Sequence, residues 1–442
     1  MKKHPLGLYV LFATEMWERF SFYSMLALFT LYLKDRDSGF GWSSDDAVGL
    51  YSTYMMFVYM SPLVGGWLAD RFFGYRRTVM AGGVFFIAGH LLLSIPSITA
   101  VYAALTCLVI GNGLFKPNVS TMVGNLYPEG SPLKDTAYNI FYMGINIGAF
   151  LGPVAMEGVK SQWGYHPAFA VAAGGMVVSV AILWTLKRFV EGTPSGAAPG
   201  AGGPAAPPGS AGTSRLDAVP EWKRIGALIV IFLMVIVFWM VFHQNGSTLT
   251  FWADDNTDWT RFEELTGIEF TGTISNAINP FWVVVLTFPL VGFWSFLRRR
   301  GLEPSTPAKM ALGMFLTAGS FLVLYLAARS GEATVSSATD YAYKVSPAWI
   351  ITSYAVVTLG ELMLSPMGLS LVSKVAPIRF RGLMMGGWFV ATGIGNKLTA
   401  IGNFWDDWSH STFFAVLGAL AFGMAVVLTL LLRPLKRAMP GV

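Results

Sequence analysis

Three charged residues stand close together in the stretch ATEMWERFSFYSM near the start of the chain: Glu15, Glu18 and Arg19. Their spacings of i, i+3 and i+4 put all three on one face of a helix, and Phe22 continues that face one turn later. Arg19 can pair with either carboxylate. Two acids beside one base leave one carboxylate in excess, and such a group can take up and release a proton as its neighbours change. Lys116 and Glu361 are further charges set in apolar sequence, in GNGLFKPNVSTM and TLGELMLSP. Arg19 and Lys116 together suit an anionic group, and Glu361 suits a cationic one. A cavity with both sides favours zwitterions, such as short peptides and amino acids.

The elements that must position these charges are membrane helices. The chain has 442 residues, 54% hydrophobic and only 12% charged, where soluble domains are about a quarter charged; its mean hydropathy is +0.54. Uncharged runs at 51–69, 161–186, 225–253, 270–297, 310–328 and 411–432 each reach roughly 19 residues or more, enough to cross the hydrocarbon core as a helix. Residues 78–115 carry no formal charge, are too long for one span and are broken at SIPSITA, so they read as two. Charge-bearing spans at 6–33, 137–159, 345–373 and 382–405 bring the total to twelve.

Basic residues orient these spans. Lys2 and Lys3, Arg71, Arg76 and Arg77, Lys187 and Arg188, Arg215, Lys223 and Arg224, Arg298 to Arg300, Lys374, Arg379 and Arg381, and Arg433, Lys436 and Arg437 all fall on one side of twelve spans. The opposite loops are acidic, with Asp254, Asp255, Asp258, Glu263, Glu264, Asp406 and Asp407. Positive-inside then places both termini in the cytoplasm of a bacterial-type inner or plasma membrane. Charges interrupt the apolar start and no small-x-small site follows, so no cleavage is expected. The pI near 9.1 comes from these short loops, and the lipid bilayer rather than nucleic acid is the expected partner. Cys107 is the only cysteine, so there is no internal disulfide. The histidines His4, His90, His166, His243 and His410 form no ligand-spaced pair, which argues against a metal centre, a metalloenzyme or any cofactor.

Depth separates the buried charges from those at helix ends. At 1.5 Å per residue, Glu18 and Arg19 lie roughly 20 Å from the basic end of their span, Lys116 roughly 15–18 Å and Glu361 roughly 20 Å. A charge at mid-membrane costs about 2.5–3.5 kcal/mol on insertion scales, so these side chains should face the bundle interior. Lys397 lies near the other end of its span and is expected to snorkel. Asp70, at a turn, reads as a gate or a structural pair. Tyr23, Tyr59, Trp239 and Trp388 either line a cavity or pack. Asn146, Asn276 and Asn279 bond either a backbone-like ligand or another helix.

Residues 193–214 contain only Thr, Pro, Ser, Gly and Ala, a composition that does not pack and is expected to be disordered. It divides the chain into an N-terminal six-helix bundle at 1–192, a flexible cytoplasmic linker at 193–221 and a C-terminal six-helix bundle at 222–442. The halves echo each other. PLVGGW at 62–67 recurs as PLVGFW at 289–294. GNGLFKPNVSTMVGNLYP aligns with GELMLSPMGLSLVSKVAP, matching Gly111 with Gly360, Pro117 with Pro366 and Pro128 with Pro377. Duplicated halves around a midplane site are a transporter architecture. The fold expected is an all-α membrane protein of twelve transmembrane helices, with the 6+6 arrangement of the major facilitators and pseudo-twofold related halves.

EMWERFSFY resembles the ExxERFxYY signature of the proton-dependent oligopeptide transporter family. GNGLFKPNVSTMVGNLYP followed by FYMGINIGAFLGP resembles that family's second signature, and GELMLSPMGLSLVSKVAP and GGWFVATGIGN resemble its spans 10 and 11. The resemblance runs over nearly the whole chain. It implies proton-driven import of di- and tripeptides by alternating access, with the proton as coupling ion. By motif, it implies a proton-linked cluster of Glu15, Glu18 and Arg19, with Lys116 in contact with it or with the peptide carboxylate. Tyr23, Tyr59, Asn146, Trp239, Asn279, Glu361 and Trp388 would line the peptide site, Glu361 near the peptide amino group. Arg19, Asn276 and Ser365 complete the substrate-binding candidates, and the functional unit is expected to be a monomer. Three departures stand out. Phe22 replaces the first Tyr of the signature; the linker is too short for the two extra helices of many bacterial members; and His243 stands where the family commonly has an acid that pairs with the span-4 lysine. His243 is therefore a candidate for proton coupling as a replacement for that acid. The competing expectations are a carrier of the same fold for an amino acid, nitrate or another anion, and a peptide sensor that does not transport. Glu361 argues against a purely anionic substrate.

Overall fold

The structure, a computed structural model, describes residues 4–42, 44–128, 131–190, 216, 218–246, 248–267, 275, 277–335, 343–405 and 407–441. Helices dominate because a chain in hydrocarbon must satisfy its backbone within each segment. Among the described residues, twelve helices have 18 residues or more: α1 Leu6–Lys34, α2 Ser44–Leu68, α3 Tyr75–Leu93, α4 Ile98–Asn125, α5 Leu133–Trp163, α6 Tyr165–Thr185, α7 Glu221–Phe242, α8 Ile278–Arg299, α9 Thr306–Glu332, α10 Pro347–Val375, α11 Arg381–Leu398 and α12 His410–Ala438. The break read at SIPSITA separates α3 from α4. Between α5 and α6 a single residue turns the chain, and Gly164 does so at φ 83°, a conformation that favours glycine. Eight helical segments are long and apolar enough to span a membrane on length and composition alone. α1, α2, α3 and α11 are not among them; α1 carries the Glu15, Glu18 and Arg19 charges that lower its hydropathy.

Two spans differ from the sequence reading. The span expected at 225–253 is not one helix. α7 ends at Phe242, a 3₁₀ turn runs from His243 to Gly246, and a separate helix covers Thr248–Asp255. The break falls at HQNG, whose Asn-Gly pair favours a turn over continued helix. His243 thus opens a turn within the apolar segment Glu221–Asp255, which is long enough to span a membrane. The span expected at 382–405 ends as helix at Leu398 and continues as a 3₁₀ turn to Phe404.

The chain packs as two compact units. One comprises Met1–Leu228, Leu369–Gly393 and Met439–Gly441; the other comprises Ile229–Gly368 and Ile394–Ala438. The linker at 193–214 lies outside the described residues. In the first unit α4 crosses α3 glycine to glycine: a Cβ on Gly111 would come within 3.0 Å of the Gly82 carbonyl oxygen. In the second, α10 crosses α9 in the same way, and a Cβ on Gly360 would come within 2.7 Å of the Gly313 carbonyl oxygen. The alignment of Gly111 with Gly360 therefore marks one packing contact made twice.

Candidate functional site

The α1 charges are aimed by the helix behind them. Gly144, Gly148 and Gly152 recur every four residues on α5, and a Cβ on each would meet Phe12, Met16 or Phe20 within 2.8 Å. This small-residue stripe takes one face of α1 into close contact. The face with Glu15, Glu18, Arg19 and Phe22 is left to meet other elements of the same unit. All four side chains are buried.

Arg19 bonds Glu18 with both ends of its fork, Nε to Oε2 and Nη2 to Oε1, the latter at 2.5 Å. Its Nε also lies 3.4 Å from Glu15 Oε1. The other Glu15 oxygen, Oε2, is buried with no hydrogen-bond partner among the described residues. The sequence left open which carboxylate Arg19 takes; the structure makes Glu18 the principal partner and Glu15 the excess acid. Arg19 Nη2 lies 3.5 Å from Asn112 Oδ1 on α4, and Asn112 Nδ2 donates to the Val58 carbonyl of α2 at 2.7 Å. The guanidinium lies 4.7 Å from the Phe22 ring centre and 6.0 Å from that of Tyr23.

Lys116, in the middle of α4, makes no salt bridge among the described residues. Its Nζ lies instead 4.7 Å from the ring centre of Phe389 and 5.6 Å from that of Tyr59. Gly393, one turn beyond Phe389 on α11, lets Tyr59 approach: a Cβ there would come within 2.5 Å of the Tyr59 Cβ. Trp388, beside Phe389 in sequence, is 1% exposed. Asn146 donates to its own helix at the Tyr142 carbonyl, 3.0 Å away. Glu15, Glu18, Arg19, Tyr23, Tyr59, Lys116, Asn146 and Trp388 all belong to the first unit.

The second unit holds Trp239, His243, Asn279, Glu361 and Ser365. Asn279 Nδ2 donates to Glu361 Oε2 at 2.7 Å and to Thr358 Oγ1 at 3.0 Å. Two residues read separately as substrate contacts are thus bonded to each other. Glu361 and Ser365 are both buried on α10. The His243 ring stacks on Trp239, with centres 5.1 Å apart and planes at 21°. The Trp239 indole N–H is buried without a hydrogen-bond partner among the described residues. Asn276 lies outside the described residues.

At the basic end of the first unit, several bonds bring α10 and α11 onto the N-terminal helices. Asp70 accepts from the backbone N–H groups of Gly382 at 2.9 Å and Leu383 at 2.8 Å, which open α11. It therefore caps a helix N-terminus, where negative charge is favourable. Asp135 accepts from Lys374 Nζ and Ser370 Oγ, both at 2.6 Å. Arg381 Nη1 donates to Asn125 Oδ1 at 2.7 Å. Lys397 is exposed, as a snorkelling lysine should be.

Sequence reading passed over Asn112, Phe389, Thr358 and the Asp135–Lys374 pair. Asn112 had a usable signal, since an amide in the apolar run 78–115 meets the criterion that selected Asn146. Asp135 was placed outside the span at 137–159, whereas α5 begins at Leu133. Phe389 and Thr358 carry no such signal in an apolar helix.

Comparison with known proteins places the chain in a family. Residues 76–201 and 210–403 match the model of the POT family. A protein of Bacillus subtilis (strain 168) described as an uncharacterized transporter is 32% identical, over 99% of this chain and 96% of its own length. The di-/tripeptide transporter of Lactococcus lactis subsp. lactis (strain IL1403) is 31% identical, over 99% of this chain and 97% of its own length. A crystal structure of a peptide transporter POT in complex with sulfate matches with a TM-score of 0.70 at 29% identity, covering 99% of this chain and 96% of that one. The chain belongs to the POT family, membrane transporters with the all-α major facilitator fold.

Proposed function

We propose that this chain is a proton-coupled symporter that imports di- and tripeptides by alternating access, with both termini in the cytoplasm and one chain as the functional unit. The observation that carries the proposal is the split on α1. Glu18 is held by both ends of the Arg19 fork, while Glu15 keeps a buried oxygen without a hydrogen-bond partner among the described residues. With Arg19 already paired to Glu18, that oxygen is the acceptor in the cluster that a proton can reach without displacing a bond. Glu15 Oε2 is thus the atom on which a translocated proton would rest.

The substrate reading draws on charge and on relatives. Lys116 carries no salt bridge among the described residues and suits a peptide carboxylate, while Glu361, which accepts from the Asn279 amide, would as a carboxylate suit a peptide ammonium. The Lactococcus relative is itself named a di-/tripeptide transporter. For alternating access the basic end must open, which requires breaking the Asp135–Lys374 and Asp70–α11 bonds. The test is flux of a labelled dipeptide into proteoliposomes with and without an inward proton gradient. Accumulation above equilibrium only with the gradient is expected. Flux indifferent to the gradient would remove the coupling, and uptake competed by nitrate or single amino acids but not by dipeptides would replace the substrate.

A further inference from the structure

A cavity of ≈ 430 Å³ opens between α9 and α12, within the second unit and apart from every residue discussed above. Its two ends differ in chemistry. Arg329, one turn before the end of α9, stands with Ser411 and Thr412, the second and third residues of α12. This end is remote from the Arg298 to Arg300 cluster. Farther along α12 the lining turns to Ala415, Val416 and Ala419. From Thr412 to Ala419 is about two helical turns, or roughly 10 Å. The surrounding surface is apolar and outward-facing: Leu322 is 56% exposed, Leu326 48% and Phe422 54%.

The polar end has one cation to offer. Arg329 is exposed and makes no ion pair among the described residues. The acid nearest to it in sequence, Glu332, is engaged by α12: it accepts from the Ser411 N–H at 2.8 Å and from Ser411 Oγ at 2.6 Å. Thr412 Oγ1 accepts from Ser409 Oγ at 2.8 Å, which leaves its own proton to donate. Tyr325, also in the lining, brings a phenolic hydroxyl one turn below Arg329. A guanidinium and hydroxyl donors at the level of a helix end, above a groove walled by alanines, match a phosphate joined to a hydrocarbon chain.

We infer that this groove binds one glycerophospholipid of the surrounding leaflet, its phosphate on Arg329, Thr412 and Tyr325 and one acyl chain along Ala415 and Ala419. The alanines admit the chain because larger side chains there would fill the groove. The arginine selects phospholipid over neutral lipid.

Native mass spectrometry of the detergent-purified full chain, titrated with dioleoylphosphatidylglycerol and with dioleoylglycerol, tests this. One phospholipid should bind, and the phosphate-free lipid should bind more weakly. Arg329→Gln should weaken phospholipid binding about fivefold, the effect of one basic residue at a membrane surface. Ala419→Phe should fill the groove and weaken both lipids; both positions are exposed, and an unchanged melting temperature in lipid-free detergent checks the fold. Equal binding of phospholipid by wild type and both variants would overturn the assignment. So would dioleoylglycerol binding as tightly as the phospholipid. A dimer that Ala419→Phe dissociates, with no lipid retained, would give the groove to a second copy of the chain and overturn it as well.

Discussion

α4 and α10 share one kind of backbone contact and carry opposite charges. Each crosses the helix before it through a glycine pair, Gly82 with Gly111 and Gly313 with Gly360, and each carries a proline six residues on, at Pro117 and Pro366. Their charges have diverged. α4 bears Lys116 between the rings of Tyr59 and Phe389, whereas α10 bears Glu361 on the amide of Asn279. The two charges do not align: Lys116 precedes its proline, and Glu361 directly follows its glycine. Duplication has preserved what lets backbones approach and has not preserved the buried charges. Backbone contact tolerates almost no added atoms, while a cavity-facing position tolerates any side chain its neighbours can solvate.

The largest expected effect lies on α1, whose Arg19 reaches Asn112 of α4. Arg19→Ala leaves Glu18 buried without its partner, a loss of about 3–5 kcal/mol, and should abolish gradient-driven uptake. Glu18→Gln should also abolish it while peptide exchange persists. Proteoliposome uptake driven by a proton gradient, compared with counterflow, checks both; undiminished driven uptake in both variants sinks the assignment of the cluster.

Next come the glycines that the two helices share. Gly111→Leu and Gly360→Leu should each cost about 1–3 kcal/mol through overpacking, read as a loss of melting temperature in detergent. The comparison predicts similar losses in the two halves. A large loss at one and none at the other would break the reading of one contact made twice.

Glu361→Gln sharpens the divergent part. It should weaken peptides with a free amino terminus about tenfold, the value of a charge-assisted hydrogen bond, and N-acetylated peptides far less. Equal losses in competition assays would make the Glu361–Asn279 bond structural.

The smallest effect is expected at His243, where the test is a pH profile. Histidine is the side chain whose ordinary titration lies nearest physiological pH, so a pH profile reads out any charge change at His243. If a positive charge there promotes opening, wild-type uptake should show a component that rises with falling pH, and His243→Gln should flatten it by less than about tenfold. An unchanged profile at normal expression leaves proton sensing to the α1 carboxylates and makes the stack on Trp239 a packing contact.

Much of this was legible in the chain because it depends on neighbours in sequence. Apolar runs located the helices, and the break at SIPSITA separated α3 from α4. Glycine and proline spacing paired α4 with α10. The turn at HQNG inside the span was not legible from hydropathy, which stays high across it. Arg19 was legible as a pairing residue but not its preferred partner. Helix-face reasoning favours Glu15 at i−4, yet the fork turns to adjacent Glu18, in a setting framed by Phe22 and by Asn112 on another helix.

By itself the sequence determined that this is a polytopic helical membrane protein, which charges are too deep to be incidental, and which helices correspond. Those properties follow from the length, polarity and order of contiguous residues. Only the tertiary structure decided that Glu15 is the carboxylate in excess, that Lys116 meets aromatic rings, that Glu361 is held by Asn279 and that Asp70 caps α11. Each of these depends on which atoms face which across packed helices. Asn279 and Glu361 are 82 residues apart, and Asp70 and Gly382 are 312. Pairings at such separations are set by helix packing, and no local pattern in the chain encodes them.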